Sequence, residues 1–222
     1  MLILAHRGYH ASVPENTLEA FAQTLDLGAD GIETDIRLSA DGLPILFHDR
    51  STSDGRSVAG LSRAQLSERV GYAVPTLEEA LEEFDDVTWD LEIKTVAAAA
   101  PVLSILSRRP SVERLLVTSF WHPVLERFAR ELGVDCGLVI AHRPLDQNLP
   151  LSLPLGQDNF KTLVWDFETL DPLLIQRLAA ADVRHYVYGV QTLAEHKALA
   201  AYGVDGVITD HPEFLIQRQG EG

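Results

Sequence analysis

Gly28-Ala-Asp-Gly-Ile-Glu-Thr-Asp35 and Gly203-Val-Asp-Gly-Val-Ile-Thr-Asp210 agree at five of eight positions, and Leu132-Gly-Val-Asp-Cys-Gly137 echoes both. Each reads as a helix halted by glycine, a tight turn, then a buried strand. One αβ joint used repeatedly accounts for the likeness; an internal duplication is the competing explanation. Working outward, short apolar runs recur at Leu2–Ala5, Gly31–Ile36, Thr88–Ile93, Leu115–Thr118, Gly137–Ile140, Thr162–Trp165, His185–Tyr188 and Gly206–Ile208. Between them Leu18–Leu27, Leu77–Phe84, Val96–Ser107, Pro123–Leu132, Pro172–Ala180 and Thr192–Ala201 carry apolar residues at helical spacing. Thr17, Thr76 with Glu79 three residues on, and Asp171 before Pro172 supply helix starts. Eight strands alternating with helices predict an α/β fold with a parallel sheet, closed as a (β/α)8 TIM barrel. An open doubly wound sheet competes, although its dinucleotide-binding version is weakened because no glycine-rich phosphate fingerprint follows any strand.

Two segments break the rhythm. Arg50–Pro75 is polar, with glycines at 55, 60 and 71, and reads as a short insertion after the second strand. Arg143–Phe160 reads as an irregular crossover. Neither is long enough for a second domain, so residues 1–222 are expected to form one barrel domain.

The chain holds 222 residues with 18 basic and 33 acidic side chains, a net charge of −15, and 46% hydrophobic residues. That hydrophobic content is ordinary for a globular chain. A pI near 4.8 argues against binding nucleic acid or an anionic membrane, both of which need clustered Lys and Arg. The single cysteine, Cys136, excludes an internal disulfide framework. Leu2–Ala5 is too short for a signal-peptide core or a membrane span, so a cytoplasmic protein without a stable membrane anchor is expected.

Ionisable residues gather where the strands end. His6 and Arg7 follow the first strand, and His48 and Asp49 follow the short apolar run Pro44–Phe47. Glu33 and Asp35 sit two apart and share one face of the second strand, as do Asp90, Glu92 and Lys94 on the third. In a barrel the C-terminal strand ends converge on one mouth. Carboxylates inside an apolar strand cost several kcal/mol unless paired or bound to a cation. Glu33, Asp35 and Glu92 form an all-oxygen set suited to Mg²⁺ or Ca²⁺. The competing reading pairs them with Arg7, Lys94 and Arg37 as a buried ionic cluster. Three carboxylates against two well-placed cations leave excess negative charge, which favours the metal. His6 and His48 are placed to act as general base and acid, and Arg7 and Lys94 to hold a phosphate. A structural role is the competing reading for the two histidines. His10, His122, His142, His185, His196 and His211 read as structural.

The ordered set His6-Arg7-Gly8, Pro14-Glu15-Asn16-Thr17, Glu33-Thr34-Asp35, His48-Asp49, Val74-Pro75-Thr76-Leu77-Glu78-Glu79-Ala80-Leu81, Leu91-Glu92-Ile93-Lys94, Ser119-Phe120 and Gly203 to Pro212 resembles the glycerophosphodiester phosphodiesterases over nearly the whole chain. The resemblance implies a TIM-barrel enzyme that cleaves small-molecule glycerophosphodiesters to sn-glycerol 3-phosphate and an alcohol. It implies one divalent cation, Mg²⁺ or Ca²⁺, on Glu33, Asp35 and Glu92. His6 and His48 match the family's acid/base pair, assigned here as base and acid, and Arg7 and Lys94 match its phosphate-contacting cations. The implied route uses the glycerol 2-hydroxyl as internal nucleophile and then opens a cyclic phosphate with water. Asn16 reads either as a hydrogen-bonding group of the site or as a turn residue before the Thr17 cap.

The chain departs from the family pattern in two places. Arg50-Ser-Thr-Ser-Asp-Gly-Arg56 replaces a threonine-rich loop, and Tyr188-Gly189-Val190-Gln191 replaces a frequent Trp-Thr-Val-Asn. Tyr188 or Trp165 is then expected to form that wall of the mouth, and Phe120, Trp121 and Tyr188 are candidates to pack on glycerol carbons. Two other readings keep the barrel: a phosphodiesterase of lysophospholipids or another phosphodiester, and a silent barrel that binds a phosphorylated ligand.

Overall fold

The computed structural model describes residues 1–142, 159–178 and 183–216. The apolar runs become β1 (Leu2–His6), β2 (Gly31–Leu38), β4 (Thr88–Ile93), β5 (Leu115–Ser119), β6 (Asp135–Ile140), β7 (Phe160–Asp166), β8 (Arg184–Tyr188) and β9 (Gly206–Thr209). These eight pair in parallel, and β1 bonds to both β9 and β2, which closes the barrel and excludes the open sheet. A short β3 (Pro44–Leu46) runs antiparallel to the end of β2, outside the barrel ring. The helices are α1 (Leu18–Leu27), α2 (Arg63–Val70), α3 (Leu77–Glu83), α4 (Val96–Leu106), α5 (Leu125–Leu132), α6 (Pro172–Leu178) and α7 (Leu193–Tyr202). Thr17 and Thr76 cap α1 and α3 as expected, and Asp171 accepts from the Leu173 amide at the start of α6. Pro123 falls in a single 3-10 turn, and α5 begins two residues later. The expected crossover over Arg143–Phe160 lies, apart from its last two residues, outside the described residues.

The recurring Gly-x-Asp-Gly stretch has a physical cause. Gly28 and Gly203 end α1 and α7 with φ of 87° and 73°, a left-handed conformation that disfavours any residue with a Cβ. The aspartate two residues on then clamps the neighbouring strand from both sides. The Asp30 amide donates to the Ile3 carbonyl and its Oδ2 accepts from the Ile3 amide (2.9 and 2.7 Å). Asp205 repeats this with His185 (2.8 and 2.7 Å). The joint itself accounts for the recurrence.

Strand alternation sorts the side chains. Ile32, Trp89, Leu91, Ile93, Val117 and Val207 face outward and pack beneath the helices. Leu4, Leu116, Val139, Val164, Tyr186 and Ile208 face inward and form an apolar floor inside the barrel. Farther along β1, and on β2 and β4, the inward positions carry His6, Glu33, Asp35, Asp90 and Glu92.

Helix α2 was not expected from the polar Arg50–Pro75 segment. Only Leu66 is buried in it, so its apolar period is nearly silent. Ser62 and Gln65 nevertheless form a capping box, a signal present in the sequence. Leu66 packs with Ile45, Val58 and Val74 as a small satellite core beside β3.

His185 is buried, and the Trp165 indole N–H donates to its Nδ1 (3.1 Å). Burial lowers its pKa, because the charged ring has no water, and Asp205 only partly offsets this. The unfolded chain therefore takes up a proton first as pH falls through about 6.5, and folded stability declines in that window. The wild-type Tm is expected to fall more steeply than that of His185→Gln between pH 7 and pH 5, measured by calorimetry. Parallel slopes would show that His185 does not titrate on unfolding.

Candidate active site

The cross-strand register assembles the site. His6 lies opposite Glu33, Glu33 opposite Asp90, and Asp35 opposite Glu92. Shared inward parity brings His6, Glu33, Asp35 and Glu92 onto one cavity of about 150 Å³, and the loops that follow the strands add Arg7, His48 and Lys94 to it. All seven expected site residues therefore meet. Asp90, Thr118, Phe120 and Tyr188 complete much of its wall.

Glu33 and Asp35 are 3% and 1% exposed. Oxygen atoms from Glu33, Asp35 and Glu92 all lie within 4.8 Å of one another. Arg7 Nε stands 3.1 Å from Asp35 Oδ2, and the Lys94 ammonium 3.2 Å from Asp35 and 2.9 Å from Glu92. Arg7 is also shared, since its Nη1 donates to both oxygens of Glu15 (3.0 and 2.9 Å). Arg37, the third cation of the ionic-cluster reading, instead donates Nε–H to the His48 carbonyl (2.6 Å) and anchors that loop. Three carboxylates thus face one full and one divided positive charge, and among the described residues the buried Glu33 Oε1 has no hydrogen-bond partner. An orphaned buried carboxylate oxygen in an all-oxygen cluster with excess negative charge fits a hard divalent cation.

The proton affinities express the same imbalance. Burial raises the pKa of Glu33 well above the carboxylate range, reinforced by Asp35, Asp90 and Glu92. Burial also raises Glu92, against the opposing pull of Lys94. Asp35 is buried as deeply, yet Lys94 and Arg7 outweigh burial and hold its pKa down. Burial drives Asp90 up to about 8, while the Thr118 hydroxyl donates to its Oδ1 (2.6 Å). Lys94 and Arg7 resist burial because carboxylates surround them, so both stay charged at neutral pH.

Two left-handed non-glycine residues shape the approach. Arg7 has φ of 58° and Asn16 φ of 55°. Such conformations cost roughly 1–2 kcal/mol each and persist only where the surroundings over-determine them. The turn aims the Arg7 amide at Glu33 Oε2 (3.1 Å), and the Asn16 amide bonds the Arg7 carbonyl (2.8 Å). Asn16 is buried and donates Nδ2–H to Asp35 Oδ2 (3.0 Å), while its Oδ1 accepts from the Thr34 hydroxyl and the Asp35 amide. It therefore touches the carboxylate cluster through Asp35. Asn16→Ala is expected to weaken divalent-cation binding roughly 10–100-fold, as loss of such outer contacts does elsewhere. Titration calorimetry with Mg²⁺ and Ca²⁺ checks this, and unchanged affinity would make Asn16 a turn residue only.

Both histidines line the cavity. His48 Nδ1 donates to Asp49 Oδ1 (2.9 Å) and His6 Nδ1 to Asp210 Oδ1 (2.7 Å), while His6 Nε2 stands 3.9 Å from Glu33. Neither Asp210 nor Glu15 carries a local signal that marks it as a site residue, since each meets its partner only in the folded chain.

The aromatic expectations divide by strand parity. Tyr188 lines the cavity, meets Phe120 edge to face at 6.4 Å, and so forms the expected wall. Val164 faces inward on β7, so the adjacent Trp165 points outward and joins the core beneath the helices. Phe120 covers the Lys94 ammonium at 5.6 Å, whereas Trp121 is 58% exposed and lies off the cavity.

The family profile described as glycerophosphoryl diester phosphodiesterase matches residues 6–214. A glycerophosphodiester phosphodiesterase of Caldanaerobacter subterraneus subsp. tengcongensis is 28% identical, over 100% of this chain and 98% of its own. A probable glycerophosphodiester phosphodiesterase 2 of Mycobacterium tuberculosis is 25% identical, over 96% of this chain and 89% of its own. The crystal structure of a glycerophosphodiester phosphodiesterase from Thermotoga maritima superposes with a TM-score of 0.84 at 26% identity, covering 97% of each chain. With its profile matched across nearly the full length and its barrel shared, the chain belongs to the glycerophosphoryl diester phosphodiesterase family.

Proposed function

We propose that the protein hydrolyses glycerophosphodiesters to sn-glycerol 3-phosphate and an alcohol, with residues 1–222 acting as one catalytic unit. The observation that carries this is the convergence of an under-neutralised carboxylate trio, two carboxylate-anchored histidines and two cations on one cavity. Glu33, Asp35 and Glu92 would hold one divalent cation, Mg²⁺ or Ca²⁺, which supplies a Lewis acid toward the phosphoryl oxygens.

The chain's own groups do the rest. Arg7 and Lys94 orient the phosphate and stabilise the charge that grows on its oxygens. His6 Nε2 takes the proton of the glycerol 2-hydroxyl as that oxygen bonds to phosphorus. The bond from phosphorus to the alcohol oxygen breaks, and His48 delivers a proton to it. A water then adds to the cyclic phosphate with the two histidines in exchanged roles, and the bond to the 2-oxygen breaks. Tyr188 and Phe120 wall the cavity against bulk water.

The deciding experiment measures sn-glycerol 3-phosphate released from glycerophosphocholine and glycerophosphoethanolamine with Mg²⁺, Ca²⁺ or EDTA. Release with a metal and none with EDTA is expected. Cleavage of lysophosphatidylcholine but not of either diester would move the substrate to lysophospholipids. No turnover of any phosphodiester would leave a silent barrel.

A further inference from the structure

We propose that Asp210 is the positioning residue of His6: its carboxylate holds the imidazole Nδ1–H, which leaves Nε2 unprotonated toward the cavity. The role deepens the diesterase reading and rests on His6 as the base.

The placement follows from register. Ala5 pairs with Thr209 in the β1–β9 ladder, so the next residues of the two parallel strands, His6 and Asp210, stand side by side with the same parity. They are 204 residues apart in sequence and 2.7 Å apart as donor and acceptor. The opposite ring nitrogen, Nε2, is the one near Glu33 and the carboxylate trio. A neutral imidazole carries one proton, so a carboxylate at Nδ1 selects the tautomer whose Nε2 can accept.

Among the described residues, only His6 hydrogen-bonds the Asp210 side chain. An aspartate before a 3-10 turn ordinarily accepts from amides of that turn. Here the His211 amide goes to the Thr209 hydroxyl (2.9 Å) and the Phe214 amide to the His211 carbonyl (3.1 Å). His10 Nε2 approaches the Asp210 carboxylate only to 3.8 Å.

The end of β9 that presents Asp210 is itself pinned from outside the cavity. The buried His196 donates Nδ1–H to the Thr192 carbonyl at the start of α7 (2.7 Å), so its Nε2 accepts from the Thr209 hydroxyl (2.7 Å). Thr209 thus has donor and acceptor both committed. A chain of fixed bonds runs from α7 through His196 and Thr209 to the residue beside Asp210. The other histidine lacks such a frame: Asp49 is its sequence neighbour, and its side chain is 70% exposed.

The test is Asp210→Asn, with Asp210→Glu beside it. The asparagine amide can rotate and donate to Nδ1, which favours the Nε2–H tautomer that cannot accept a proton. Turnover of glycerophosphocholine is expected to fall on the order of 10²-fold or more, by analogy with the loss when a triad aspartate becomes asparagine. KM should change by less than about threefold, because no substrate contact is removed. Tm and divalent-cation affinity should match the wild type, and Asp210→Glu should regain part of the turnover.

An independent readout is the ¹⁵N spectrum of the histidine rings, with His6 identified by its absence in His6→Gln. Wild-type His6 should be the Nδ1–H tautomer, and Asp210→Asn should convert it to Nε2–H. Wild-type-like turnover in Asp210→Asn, or an unchanged His6 tautomer in that variant, overturns the proposal. If the wild type cleaves no diester but the tautomer still switches, the diesterase reading fails and the positioning role stands.

Discussion

Glu33→Gln is expected to remove divalent-cation binding and metal-supported turnover together, while the barrel stays folded. Glu33 is buried with one carboxylate oxygen unpartnered among the described residues, and burial with three nearby carboxyls already resists its ionisation. Its charge is the surplus that draws a cation in. Replacing it with an isosteric amide leaves Asp35 and Glu92 facing Lys94 and the shared Arg7, which removes most of the negative surplus that attracts a metal. Loss of several kcal/mol of transition-state charge stabilisation corresponds to roughly a 10³-fold fall in turnover or more. EDTA should bring the wild type to the same level and leave the variant unaffected. Because a surplus buried charge is gone, the metal-free variant should melt no lower than the metal-free wild type. Calorimetric metal titration, activity with and without EDTA, and melting curves test all three expectations. EDTA-sensitive turnover at the wild-type rate in Glu33→Gln would overturn the assignment of Glu33 as a ligand.

His6→Ala and His48→Ala should each lower turnover by about 10²–10⁴-fold, the usual contribution of one proton-transfer group. Neither should change divalent-cation affinity, since neither belongs to the carboxylate trio. The two can be told apart by the leaving group. A p-nitrophenyl diester of glycerol 3-phosphate releases a phenoxide that needs little protonation, so His48→Ala should lose far less on it than on glycerophosphocholine. His6→Ala should be equally impaired on both, because the 2-hydroxyl must still surrender its proton. The reverse pattern would exchange the two roles, and near-normal turnover of both variants on glycerophosphocholine would dismiss the two-histidine mechanism.

Much of this site was legible before any fold was known, because the signals are local. Glu33 with Asp35 and Glu92 with Lys94 are two apart, and a strand's period places such pairs on one face wherever the strand goes. Helix caps at Thr17 and Thr76 are read within four residues. Helix α2 escaped because a helix with one buried residue has almost no apolar period, and only Ser62 and Gln65 betray it. Trp165 was open to misassignment for a related reason. Tyr188 and Trp165 both end apolar strands, and which one faces inward depends on barrel parity, which composition does not encode.

The sequence by itself determined the alternation of strands and helices, and the shared strand faces of Glu33 with Asp35 and of Glu92 with Lys94. Those follow from periodicities and side-chain types carried within a dozen residues. Only the tertiary structure decided that β1 closes on both β2 and β9, that Arg7 is divided between Glu15 and Asp35, and that Asp210 grips His6. The barrel closure and the Asp210–His6 bond join strands whose register is set by packing the whole barrel, and Arg7 meets Asp35 only because β1 and β2 lie side by side. A shift of one residue in β9 would turn Asp210 to the opposite face.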